Sequence, residues 1–197
     1  VDYTTVALVK SELRVNETTD DTLLATLITA ASRAIDRHCT GVASRSDDYF
    51  KSETITDELL TGQVNREGNL LCWPHKPVVT TVSALSYRYS PRESWIEANL
   101  DYVELDGGVV TAWMGLTLRK PQRVKISYTG GVAADVDGLP SDFVEAVTVM
   151  AGRFYREAEG GLNDSIGVAD LGMLFYTKAI PVRVKEMLIP YKRVVGW

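Results

Sequence analysis

Residues 20–41 read DDTLLATLITAASRAIDRHCTG, and the fold turns on whether this stretch is a helix. Leu24, Ile28, Ala31, Ile35 and His38 recur at three- and four-residue spacing, so they share one face, with Leu27 and Ala34 beside them. Asp20, Asp21, Arg33, Asp36 and Arg37 fall largely elsewhere. Thr19 offers an N-cap hydroxyl, and Asp20 and Asp21 place negative charge in the first turn, where the helix dipole favours it. Gly41 follows as a stop. The spacing predicts a helix over about 19–40, and Ala30, Ala31 and Ala34 would let a second helix approach closely.

Outward from this helix the pattern changes twice. Upstream, Thr5 caps a short helix over about 5–14, with Val6, Val9 and Leu13 at helical spacing. Downstream, from about Ser46 to Tyr128, runs are short and β-like. QRVKISY alternates, with Val124, Ile126 and Tyr128 on one face and Arg123, Lys125 and Ser127 on the other. Asp106-Gly107-Gly108 lies between two strand-like runs, a hairpin signal. A small antiparallel sheet or open barrel is expected there. Helical spacing returns after Pro140, with Phe143, Val147, Met150 and Phe154 in a helix over 141–159 that Gly160-Gly161 ends. Residues 162–179 show no sustained period and suit a loop or hairpin. A last helix is expected over 181–193, with Val184, Met187, Leu188 and Tyr191 on one side. The fold class is therefore α+β: a helical-bundle body of about four helices with an inserted small antiparallel β domain. The division is 1–45, 46–130 and 131–197.

The 197 residues are 45% hydrophobic and 24% charged, as in soluble globular proteins. No apolar run reaches the roughly 20 residues of a membrane span, and VDYTTVALVKSELR lacks the basic start and apolar block of a secretory signal. Two cysteines support a reducing compartment rather than a disulfide framework. A net charge of −5 disfavours tight wrapping of nucleic acid but suits a wall past which DNA moves.

Chemistry-bearing residues are few. His38, Cys39, Cys72 and His75 have the ligand types of a structural zinc, at spacings unlike the familiar sites. Neighbours on a helix point about 100° apart, so His38 and Cys39 do not readily meet one ion. They are read as packing residues, with no metal and no cofactor expected. Asp135 to Glu145 lacks the acidic positions of a calcium loop and reads as a polar turn. No phosphate-loop, dinucleotide, serine-hydrolase or zinc-protease signature is present, so an enzyme is not expected. Arg119, Lys120, Arg123 and Lys125 lie on strand edges, where charge also guards against aggregation. Trp95, in a polar stretch, either tucks onto the sheet or serves an interface, and Trp197 reads as an interface residue.

The ordered set of features resembles the head–tail adaptor (connector, head completion) proteins of tailed phages. The blocks are VALVKSELRV, then TTDDTLLATLITAASRAIDRHCTG, VKISYTGG, LPSDFVEAVTVMAGRFYRE and IPVRVKEMLIPYKR. Together they cover about half the chain in the family's order. The long β-like middle matches only the longer members, as in some phages and gene-transfer agents. Ser165 and Gly167, in NDSIGVADLG, are similar to the family's glycine-serine loop, with Val168-Ala169-Asp170 in place of its compact pattern. The resemblance implies a structural virion protein made in a bacterial host and placed at the head–tail junction. It implies a dodecameric homo-oligomeric ring beneath the portal that extends the DNA channel and receives a stopper or tail-completion protein. DNA would pass without specific binding, and no membrane is involved. Tyr191, Val194, Val195 and Trp197 are expected to dock on the portal, and Trp95, Ser165 and Gly167 to face a neighbouring subunit or the tail. The competing reading is a small metal- or DNA-binding accessory protein.

Overall fold

A computed structural model describes residues 2–40, 48–106, 108–116, 121, 123–159, 165–168, 172–175 and 180–192, with the main chain alone for 165–168 and 172–175. The chain forms two compact units, Tyr49–Ala134 and the combination of Val1–Asp48 with Asp135–Trp197.

Among the described residues, the Tyr49–Ala134 unit contains eight strands: β1 (Glu53–Leu60), β2 (Gln63–Val64), β3 (Leu70–Cys72), β4 (Val79–Arg88), β5 (Ile96–Glu97), β6 (Val103–Asp106), β7 (Val109–Ala112) and β8 (Arg123–Gly130). They pair antiparallel as two four-stranded sheets, β1-β8-β4-β5 and β2-β3-β7-β6. The alternation of QRVKISY sets the layer order. Val124, Ile126 and Tyr128 are fully buried and share a core with Val79 and Leu85 from their own sheet and Leu70, Cys72, Val110 and Ala112 from the other. Asp106 pairs with Val109, so the loop signal at Gly107-Gly108 closes a two-residue hairpin, with Gly108 at φ 83°.

Where β8 leaves the sheet, two glycines are required by space. A Cβ on Gly130 would lie 2.8 Å from Val78 O and 2.9 Å from Lys76 Cβ. Gly131 has φ 119°, and its N–H donates to Val78 O at 2.7 Å. The chain then runs back along residues 50–52, with Val132 N donating to Phe50 O and Ser52 N to Ala133 O, both at 2.8 Å.

The second unit holds α1 (Val6–Leu13), α2 (Asp21–Thr40), α3 (Ser141–Glu159), a hairpin of β9 (Ser165–Val168) and β10 (Gly172–Phe175), and α4 (Val182–Met187). The Thr5 hydroxyl caps α1 by accepting from Leu8 N at 3.3 Å. Helix α2 starts at Asp21, so the cap position falls to Asp20 rather than Thr19. Both acids at its start have partners: Tyr155 OH donates to Asp20 at 2.8 Å, and Lys10 pairs with Asp21 at 2.8 Å. The lysine of α1 and the paired aspartates thereby tie three helices together. Leu24, Ile28, Ala31 and Ile35 form the buried stripe.

The expected helical-bundle body of about four helices does not form. Among the described residues only α2 and α3, of 20 and 19 residues, are long. Helix α1 has eight residues and α4 six, about two turns each. The helix expected over 181–193 stops early because Pro190 has no N–H to continue it, and Ile189–Tyr191 tightens into a 3-10 turn. The chain is α+β, with its strands in antiparallel sheets and a helical part that is one long pair flanked by short pieces.

Asp36 departs from its sequence reading. It lies fully buried on α2, accepting from Tyr3 OH at 2.8 Å, with Arg33 3.5 Å away and shared with Asp48. Burial raises its pKa to about 6, against the opposing pull of Tyr3 and Arg33. A carboxyl that is easier to protonate when folded favours the native state most below its ordinary pKa near 3.8. That contribution falls as pH rises toward 6 and then levels. Asp36→Asn removes the titration. The variant is expected to gain roughly 3 kcal/mol relative to the natural chain between pH 4 and pH 7. Urea unfolding of both chains across that range measures the difference, and a constant difference would contradict the assignment.

Candidate interaction surfaces

The histidines and cysteines fall in separate units of the chain. His38 and Cys39 belong to the helical unit, Cys72 and His75 to the β unit. Cys39 and Cys72 are buried, which pushes both thiols up to about 12 and away from the thiolate a metal needs. Burial and the nearby Lys192 and Lys185 lower the pKa of His38. His75 packs edge-on against Tyr49, with ring centroids 5.6 Å apart. Among the described residues, no three His, Cys, Asp or Glu side chains are grouped to hold an ion. Of the acids in 135–145, Asp135 accepts from Gly138 N at 3.2 Å, and Glu145 pairs with Arg183 at 3.0 Å.

Tyr191 is fixed by the same first turn of α3. Its hydroxyl donates to Asp142 at 2.7 Å, and its ring meets Phe143 at 5.1 Å, which in turn meets Tyr3 at 5.4 Å. Buried Val184 and Leu188 hold the preceding turn. Val194, Val195 and Trp197 lie outside the described residues. Ser165 and Gly167 lie on β9, opposite Phe175 and Met173 of β10.

Trp95 sits on the outer face of the first sheet. Val124 and Ile126 point into the core, so Arg123 and Lys125 point outward; by the same alternation Leu85 and Tyr87 face inward and Arg88 outward. Arg88 lies directly opposite Arg123. The Arg88 guanidinium stacks 4.5 Å from the Trp95 ring centre, and Lys125 Nζ lies 5.5 Å from it. Arg88 Nη1 donates to Pro91 O at 3.1 Å, while its Nε is buried with no acceptor among the described residues. Lys125 reaches Asp57 at 3.5 Å, and Glu97 stands opposite Ser86, in the same cross-strand row as Lys125. The result is a face of three cations and two carboxylates around one tryptophan, with cations in excess. Arg119 and Lys120, part of the basic run in the sequence, lie outside the described residues.

The outer face of the second sheet has the opposite character. Val110 and Ala112 are buried, so Thr111 and Trp113 turn outward, with Glu104 opposite Thr111 and Asp106 opposite Val109. Trp113 N donates to Tyr102 O at 2.9 Å, which carries the ladder one residue further. Trp113 is 45% exposed and Tyr102 60%. Two large exposed aromatics thus stand near two carboxylates, Glu104 and Asp106. No role was assigned to Trp113 or Tyr102 from the sequence. The every-second-residue series Tyr102, Glu104, Asp106 was the available signal.

No protein-family model matches the chain, and no curated protein matches it. Solved structures do share its fold. A chain from the neck of an empty GTA particle, computed with C6 symmetry, is similar with a TM-score of 0.56 and 22% identity, over 98% of this chain and 91% of that one. A chain from the virion of a native gene transfer agent (GTA) particle gives 0.51 and 20%, over 98% and 91%. A third, from the neck of a native GTA particle computed with C12 symmetry, gives 0.50 and 20%, over 97% and 92%.

Proposed function

We propose that this chain is a structural component of the neck of a phage-like particle, a head–tail adaptor without catalytic activity. The observation that carries the reading is the extent of the shared fold: it spans 98% of this chain and 91% of a neck chain, both units included. The chain would form a ring, as a dodecamer beneath the portal, extend the DNA channel and present a docking surface to a stopper or tail-completion protein. The C6 and C12 symmetry of the similar particles supports a ring. A net charge of −5 suits a lumen that DNA traverses without being held. The tail after Tyr191, with Val194, Val195 and Trp197, would dock on the portal. The β-rich region 46–130 would mediate ring or tail contacts, and Trp95, Ser165 and Gly167 would meet a neighbouring subunit or the tail.

Deleting the chain from cells that make the particles tests this. DNA-filled heads and free tails that fail to join are the expected products. Normally tailed particles in its absence would sink the proposal.

A further inference from the structure

We propose that the two outer faces of the β unit dock onto one another between successive copies of this chain. The Trp95–Arg88–Arg123–Lys125 face of one copy would receive the Tyr102–Trp113–Glu104–Asp106 face of the next.

The two sheets meet through a shared core, so their outward faces lie on opposite sides of the unit. One face gathers Arg88, Arg123 and Lys125, which outnumber the Asp57 and Glu97 carboxylates beside them, in a chain that is acidic overall. Arg88 and Arg123 stand directly opposite each other, an arrangement that costs stability unless an anion lies between or above them. The other face gathers carboxylates around two exposed aromatics, the residue types that anchor interfaces. A protomer with complementary patches on opposite sides associates head to tail, and a head-to-tail contact with a constant rotation closes into a ring. A two-fold dimer would instead need one self-complementary patch, and neither face is one.

The choice of a second copy over nucleic acid follows from Trp95. A tryptophan that reads bases must offer an open ring face to stack on. Here Arg88 and Lys125 lie over the ring. What remains is positive charge beside an apolar edge, which fits a surface of carboxylates and aromatics.

The inference rests on the neck-component reading for its biological setting, but its test needs no particle. Two variants are made in the full chain, Arg123→Glu with Lys125→Glu, and Glu104→Lys with Asp106→Lys. All four side chains are surface groups outside the core, and circular dichroism checks that each variant folds. Sedimentation at low salt and rising concentration is then measured. The natural chain is expected to self-associate. Each variant alone should weaken that association by about 100-fold, because like charges then face each other. An equimolar mixture should restore it, since the two altered faces are complementary to each other with the charges reversed, and the two natural faces remain complementary as before. A natural chain that stays monomeric, variants that associate as well as it does, or a mixture that fails to recover would each overturn the inference. Duplex DNA binding that is lost in the first variant, without self-association, would also overturn it and assign the cationic face to nucleic acid. None of these results bears on whether the chain is needed to join heads to tails, so the two proposals fail separately.

Discussion

Gly131→Ala is expected to destabilise the β unit by about 3 kcal/mol or more, a large share of a domain's total stability. Two costs combine. The residue has φ 119°, a conformation that carries a penalty of roughly 1–2 kcal/mol for a side chain. The added methyl would also stand 2.5 Å from Lys51 C and Ser52 Cα and closer still to Lys51 O. These are main-chain atoms, held by the bonds that join residues 50–52 to 132–133, so they cannot move aside without breaking that strap. Overpacking of this kind adds about 1–3 kcal/mol. Gly115 is the control. Its φ is 61°, but a Cβ there would meet nothing within 4 Å, so Gly115→Ala should cost only about 1 kcal/mol. Urea unfolding of the two variants separates the contributions. Equal losses would show that the clash at Lys51 does not matter.

Removing Val194–Trp197 is expected to leave the fold intact and to reduce joining to portal-bearing heads by about 100-fold, the scale of losing a tryptophan hot spot with its apolar neighbours. The fold should survive because, among the described residues, the buried anchors Val184 and Leu188 and the Tyr191–Asp142 hydrogen bond precede the cut. Trp197→Ala alone should account for most of the loss. Purified heads mixed with the natural and truncated chains, followed by sedimentation and mass spectrometry, give the bound amounts. If the truncated chain joins heads as well as the natural one, the tail is not the docking element.

Much of the local structure was legible because its causes are local. The stripe of Leu24, Ile28, Ala31 and Ile35 is buried on α2, and the alternation of Val124, Ile126 and Tyr128 faces the core. The Asp106–Val109 turn needs only residues adjacent in sequence. What escaped reading depends on distant partners. Asp36 looked like a solvent-facing residue, and its burial depends on Tyr3, 33 residues away. The division of the middle into two sheets requires β8 to pair with both β1 and β4, and β3 with β7. The bundle expectation failed because helical spacing persists through 181–193 while Pro190 removes the N–H that a longer helix would use.

The candidate surfaces follow the same division. Trp95 stood out in the sequence as a tryptophan among polar residues, yet its cations arrive from two other strands whose register no local pattern reveals. Tyr102 and Trp113 are eleven residues apart and become neighbours only when β6 pairs with β7. The zinc-like inventory shows the converse, because residue types counted in the sequence carry no information on burial. Cys72 is the clearest case, being fully enclosed by the core of the β unit.

The central claim is that this chain builds the neck of a particle, and imaging intact particles tests it most directly. Symmetry-averaged density between the head portal and the tail should be traced by this sequence as a closed ring, with the α2–α3 pair and the two-sheet unit both recognisable in each copy. Density at that level traced completely by other proteins, with this chain elsewhere in the particle or absent from it, would contradict the account.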